Sequence, residues 1–142
     1  WGLAGLRLGM AFASEEIIGV FNKVKPPYNI NQLTQELALQ ALQENGQVID
    51  MIREIVEMRE ALAEVFERMP VVEKVYPSDA NFLLVKISNA HKVYEFLLTK
   101  GIVVRDRSSV NLIENCLRIT VGTEKENTEL VDALDEWMSL HG

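Results

Sequence analysis

Cys116-Leu117-Arg118-Ile119-Thr120-Val121-Gly122-Thr123 opens on a short apolar run, Cys116 to Val121, that carries one arginine and is followed by a glycine. It reads as a strand. Thr123 and Glu126 have the T-x-x-E spacing of a capping box, so a helix opens directly behind the strand, with Leu130, Leu134, Trp137 and Met138 on its inner side. On the N-terminal side of this run, Ser108 to Asn115 is a polar loop and Ile102 to Val104 is a strand. Gly101 ends a helix that Ser88 or Asn89 caps and that buries Val93, Phe96 and Leu97. Phe82 to Ile87 is a further strand, bounded by Ser78-Asp79 and Ser88-Asn89, and Val71-Val72 with Val75-Tyr76 supply a shorter one. The order after Pro70 is therefore strand, strand, helix, strand, strand, helix. That order predicts an α+β layer of helices on one sheet.

Before Pro70 the period is helical. Val48, Ile52, Ile55, Met58, Leu62, Val65 and Met69 recur every three or four residues, and Arg53, Glu57, Glu60, Glu64 and Glu67 form the opposite, solvated face. Ile30, Leu33, Leu37 and Ala41 mark an earlier helix that Asn45-Gly46 breaks. Pro26-Pro27 forces an extended link, with Tyr28 as its anchor. Ser14 caps a short helix that carries Glu15 and Glu16 in its first turn and Ile17, Ile18 and Phe21 as its buried stripe. Leu3 to Ala13 reads as a turn followed by a buried strand around Arg7 to Ala13.

The chain of 142 residues is long enough for one domain with a real core, and 48% hydrophobic with 25% charged residues is ordinary for a globular protein. A net charge of −7 argues against a nucleic-acid surface. No apolar run is long enough to span a bilayer, and the first residues lack the basic start and cleavage site of a signal peptide. The single cysteine, Cys116, excludes an internal disulfide framework and fits a reducing compartment, the cytoplasm. His91 and His141 have no partner at metal-ligand spacing, so no metal site is expected.

The residues that stand out chemically are arginines. Arg105 and Arg118 each sit in or beside an apolar strand, where a buried guanidinium needs an anion. That anion is either one of the 21 acidic residues, in an internal salt bridge, or a ligand. Arg107 reads as a surface charge. Arg7 lies in Gly2-Leu3-Ala4-Gly5-Leu6-Arg7-Leu8-Gly9, where three glycines allow close backbone approach and the guanidinium fork suits a phosphate. Cys116 reads as a small core residue, Asn81 as a turn residue and His91 as a surface residue of a helix. There is no Ser/His/Asp arrangement, no H-E-x-x-H and no P-loop.

Four motifs, in order and at similar spacing, resemble histidinol-phosphate aminotransferases. They are Gly2 to Gly9, Asp79-Ala80-Asn81-Phe82-Leu83-Leu84, Gly101-Ile102-Val103-Val104-Arg105-Asp106, and Cys116 to Thr123. These are pyridoxal-phosphate enzymes of fold type I, the aspartate-aminotransferase superfamily. The resemblance covers essentially the whole chain and implies the C-terminal portion of such an enzyme. It implies that residues 1–28 end a large cofactor-binding domain, that 29–70 are connecting helices, and that 71–142 form a small C-terminal α+β domain. Arg7 matches the arginine that binds the cofactor phosphate. Arg118 matches the one that holds the substrate carboxylate, and Arg105 the one that contacts the phosphate of histidinol phosphate. The parent would move an amino group between histidinol phosphate and 2-oxoglutarate in histidine biosynthesis, as a homodimer. The lysine that forms the Schiff base should lie two residues before Trp1. None of Lys23, Lys25 or Lys86 stands in a matching context, so the chain carries no catalytic residue of its own and is expected to be inactive alone. The alternatives are a threonine-phosphate decarboxylase, another amino acid aminotransferase, or an anion-binding module without chemistry.

Overall fold

The computed structural model describes residues 1–141, the side chain of Asn45 excepted. In chain order its elements are α1 (Glu15–Val24), α2 (Gln32–Gln43), α3 (Asn45–Glu67), β1 (Val72–Tyr76), β2 (Phe82–Ile87), α4 (Ala90–Thr99), β3 (Arg105–Asp106), β4 (Cys116–Thr120) and α5 (Glu124–His141). The chain divides into two compact units, Trp1–Met51 and the part from Ile52 onward. Among the described residues no helix is long and apolar enough to cross a membrane.

The second unit holds the sheet. Its strands run in the order β1-β2-β4-β3, each antiparallel to its neighbour. Alternation along β2 sends Leu83, Val85 and Ile87 inward and leaves Phe82, Leu84 and Lys86 half-buried on the other face. Leu117 and Ile119 join the inward set from β4, opposite Val85 and Leu83. Leu62, Phe66 and Met69 from α3 and beyond, Val93 and Leu97 from α4, and Leu130, Leu134 and Trp137 from α5 complete one continuous core on that face. All three helices thus cover a single side of the sheet: α4 and α5 as the order of elements after Pro70 predicts, and α3 in addition.

Four details of this unit differ from expectation or refine it. Phe66, not Val65, is the buried residue of α3 between Leu62 and Met69. A step of four residues overshoots a full helical turn by about 40°, whereas a step of three falls about 60° short, so Phe66 stays nearer the line of Leu62. The third strand is Arg105–Asp106 and not Ile102 to Val104. The amide of Ile102 donates to Leu97 O (2.9 Å) and that of Gly101 to Leu98 O (3.0 Å), the paired bonds of a Schellman cap, with Gly101 at φ 76°. The cap therefore takes the donor of Ile102 before any ladder can form. Asn89 stands at the N-cap of α4, in a left-handed conformation and without a side-chain bond. Met138 is half-buried beside the core and not within it.

The capping box forms as expected. Glu126 Oε2 accepts from the Thr123 amide and hydroxyl, both at 2.8 Å, and the Glu126 amide donates back to Thr123 Oγ1. Asn127 adds a second clasp, accepting from Gly122 N (2.9 Å) and donating to Gly122 O (3.1 Å). A Cβ at Gly122 would fall 2.9 Å from Glu126, which explains glycine at this junction. Thr123→Ala should cost about 1 kcal/mol, read as a lower urea midpoint. The amide of Thr123, then its hydroxyl, hold the Glu126 carboxyl below its ordinary 4.5. A depressed carboxyl stabilises the fold above its unfolded value and loses that contribution as pH falls through the folded one. Melting temperature should therefore drop on acidification, and less so in Glu126→Gln.

The first unit departs further from expectation. Ala4–Leu6 is a 3-10 turn closed by Arg7 at φ 55°, and no strand follows over residues 7–13. A strand needs a ladder partner, and no residue of this unit supplies one. The stretch is largely exposed, with Phe12 at 94%. Leu6, Leu8 and Met10 instead line a small apolar cleft of about 80 Å³ with Ala38, Ala41 and Leu42 of α2. α1 forms with Ser14 at its N-cap, although the Ser14 side chain makes no cap bond. Its expected buried stripe is not buried: Ile17 and Phe21 are half exposed and no residue of α1 is buried. Amphipathic spacing forms the helix, but burial needs a facing surface, and no described residue supplies it. Lys25 is extended, as the residue before a proline should be. Tyr28, at φ 58° and 99% exposed, anchors nothing among the described residues. α2 is capped by the Asn31 side chain, which accepts from Thr34 N at 2.9 Å. The break after it falls at Glu44, and Asn45-Gly46 opens α3 instead of ending a helix.

Candidate functional site

The face of the sheet away from the helices carries cations. β1 gives it Lys74 and Tyr76, β2 gives Phe82, Leu84 and Lys86, β4 gives Arg118 and Thr120, and β3 gives Arg105. The register decides the arrangement. Arg118 lies between Leu84 on one side and Arg105 on the other, so the two arginines are direct cross-strand partners. Directly opposed side chains project to the same face, with Cβ atoms roughly 5 Å apart. On a chain of net charge −7 this concentration of positive charge is a local feature.

Neither arginine makes an ion pair with a carboxylate among the described residues, although acidic side chains are plentiful. The guanidinium of Arg118 lies over the Phe82 ring, 5.0 Å from its centroid. Phe82 is its diagonal neighbour across the β2–β4 ladder. The Nε of Arg118 is buried and has no hydrogen-bond partner. A buried donor left unsatisfied costs about 1–3 kcal/mol, so this atom marks a place where an acceptor belongs. Arg105 is exposed and Arg107 half-buried.

Of the two lysines on the same face, one has a carboxylate partner. Lys86 pairs with Glu73 at 3.1 Å, and Ser88 donates to the same carboxylate. The Lys86 hydrogen bond, then that of Ser88, lower the Glu73 pKa, and Glu73 raises that of Lys86. Lys74 Nζ lies 4.6 Å from the Tyr76 ring centroid. Lys86 is thus held by a carboxylate, whereas Arg105, Arg118 and Lys74 have no carboxylate partner among the described residues.

Cys116 is fully buried, and burial pushes its thiol pKa up, the opposite of what a nucleophile needs. Asn81 sits in the β1–β2 turn, where its carbonyl accepts from Val121 N at 2.9 Å. Arg59 of α3 holds the same turn through Ala80 O at 2.8 Å. His91 is exposed as expected, but its Nδ1 lies 2.7 Å from Asp106 Oδ2, a contact that spacing in the sequence does not signal. Arg7 belongs to the first unit, exposed and with no ion pair or hydrogen bond of its side chain among the described residues. Gly5 and Gly9 beside it have open space where a Cβ would stand.

A model of the aminotransferase class I and II family matches residues 1–134. The chain belongs to this family. It is 52% identical over 134 residues to a histidinol-phosphate aminotransferase of Cytophaga hutchinsonii, covering 94% of this chain and 38% of that protein. The crystal structure of the histidinol-phosphate aminotransferase from Clostridium acetobutylicum superposes with a TM-score of 0.80 at 25% identity, over 89% of this chain and 39% of that one. A decarboxylase from Sulfurospirillum multivorans superposes with a TM-score of 0.74 at 28% identity, over 96% and 40%. The chain spans about two fifths of the length of the relatives it matches. The fold is therefore that of a fold type I aminotransferase, with helices on one side of an antiparallel sheet.

Proposed function

We propose that this chain is the C-terminal part of a pyridoxal-phosphate-dependent aminotransferase that moves an amino group between histidinol phosphate and 2-oxoglutarate in histidine biosynthesis. In this reading residues 1–28 end the large domain, 29–70 connect, and 71–142 form the small domain of a cytoplasmic homodimer. One observation carries the substrate assignment: two arginines opposed across β3 and β4, unpaired with carboxylates, one with a buried Nε that lacks an acceptor. Two adjacent guanidinium groups suit one dianion better than one carboxylate. Histidinol phosphate is an amino alcohol whose phosphate stands where an amino acid has its carboxylate. The pair would hold that phosphate from two sides, and Arg118 would take the carboxylate of the dicarboxylic partner.

Arg7 would hold the phosphate of the cofactor; its exposure and lack of an internal partner fit that task. Pyridoxal phosphate, when bound, supplies the electron sink for the transfer. Arg105 and Arg118 would bind and orient the substrate, which restricts the motion of its reacting carbon.

The 142-residue chain, mixed with cofactor, histidinol phosphate and 2-oxoglutarate, should show no turnover, whereas a full-length enzyme carrying this sequence should convert the donor to its keto product. Turnover by the short chain would overturn the assignment of the catalytic lysine to an upstream segment. A decarboxylase is the second reading, favoured by the superposition on the Sulfurospirillum enzyme. Release of carbon dioxide from a phosphorylated amino acid, with no keto product, would select it.

A further inference from the structure

β3 has little to hold it in place. It makes two rungs with β4, Arg105 opposite Arg118 and Asp106 opposite Leu117. The first rung sets like charges directly across from each other, which destabilises a strand pair. Upstream, the Ile102 amide is committed to α4, and a cleft of about 440 Å³ borders Val103 and Val104 on one side and Ile119 and Thr120 on the other. Downstream, Arg107 N donates to Cys116 O at 2.9 Å before the chain enters the 108–115 loop.

Asp106 opposes that weakness. Alternation turns it to the covered face while Arg105 faces outward. Its Oδ2 lies 2.7 Å from His91 Nδ1 in the first turn of α4, and its Oδ1 accepts from Ser108 N at 2.7 Å. One carboxylate thus ties β3 both to a helix and to the loop that follows.

We propose that His91, acting through Asp106, is the positioning residue that keeps Arg105 opposite Arg118, so that protonation of His91 and binding of an anion by the two arginines favour the same paired state of β3. The anion half of this inference rests on the proposed role of Arg105 and Arg118. Two carboxylates face the imidazole: Asp106 from β3, and Glu95 from its own helix at 3.6 Å. The Tyr94 ring stacks 6.4 Å away, and Arg105 and Arg107 flank Asp106 in sequence. The Asp106 hydrogen bond raises the His91 pKa above 6.5, outweighing a small opposing loss of hydration. Burial alone would raise that of Asp106, but the bonds from Ser108 and His91 outweigh it and the net direction is down. A raised histidine contributes fully below its unfolded pKa and loses its contribution as pH rises through the folded value. By linkage, an anion on the arginines should raise the His91 pKa in turn.

Two NMR measurements on the 142-residue chain separate the parts. The first is the exchange protection of the Arg107 amide, corrected for intrinsic rate, across the titration of His91. Protection should be about two- to five-fold greater with His91 charged, the range expected for a largely exposed pair. His91→Gln should abolish that pH dependence, Asp106→Asn should lower protection throughout, and Arg105→Gln should raise it by removing the opposed charge. Protection that ignores the His91 titration and is unchanged in His91→Gln overturns the proposal. The second measurement adds inorganic phosphate. The His91 pKa should rise while that of His141 stays fixed, and phosphate affinity should fall about two- to five-fold in His91→Gln. If phosphate fails to bind while Arg107 protection still follows His91, the positioning role stands and the anion reading of the arginines alone is lost.

Discussion

Arg118→Ala, in a full-length aminotransferase carrying this sequence, should lower kcat/KM for both histidinol phosphate and 2-oxoglutarate by about two to three orders of magnitude. The estimate follows from the environment of the side chain. Among the described residues its Nε is buried without an acceptor, its guanidinium lies on the Phe82 ring, and no carboxylate pairs with it. Removing one partner of a desolvated, charge-assisted contact costs about 2–5 kcal/mol, and each 1.36 kcal/mol is tenfold in rate. Absorbance of the bound cofactor should be unchanged, because Arg118 is assigned to substrate. Arg118→Lys should recover only part of the loss, since an ammonium lacks the planar fork and stacks less well on Phe82. A variant that kept wild-type kcat/KM for both substrates would remove Arg118 from the site.

The second large effect concerns the fold. Phe66→Ala in the 142-residue chain should destabilise it by about 3–5 kcal/mol, read as a fall in the urea midpoint with little change in slope. Phe66 is fully buried where α3 meets the covered face of the sheet, within the cluster that includes Leu62, Leu117, Ile119 and Leu134. A domain has only about 5–15 kcal/mol to lose, so this variant should be partly unfolded near physiological temperature. Val65→Ala, one position away and about one third exposed, should cost far less. Equal losses at 65 and 66 would mean that α3 presents a different face to the sheet.

Much of the second unit was legible in the sequence because its signals are local. The bounded apolar run Phe82 to Ile87, the T-x-x-E box at Thr123 and Glu126, and Gly101 as a helix stop each act within a few residues, and each appears where it should. What remained hidden depends on pairing between distant segments. Arg105 and Arg118 stand out in the sequence as a pair of strand arginines, but only the register of β3 on β4 makes them opposite partners. The bond between His91 and Asp106 joins residues fifteen positions apart, and no spacing rule points to it. Ile102 to Val104 has the composition of a strand, yet the Schellman cap takes the amide of Ile102 first. In the first unit the apolar pattern of Leu3 to Phe21 predicts burial that is not found, because burial requires a covering surface and none is present among the described residues of 1–51.

The most direct test is the ratio of kcat/KM for histidinol phosphate to that for histidinol, measured in the full-length enzyme and in its Arg105→Ala variant. Opposed arginines that share one phosphate predict a fall in this ratio of about a hundredfold, nearly all of it from the phosphorylated donor. A ratio that stays the same in Arg105→Ala would contradict the central claim and leave the cationic face of the sheet without its proposed ligand.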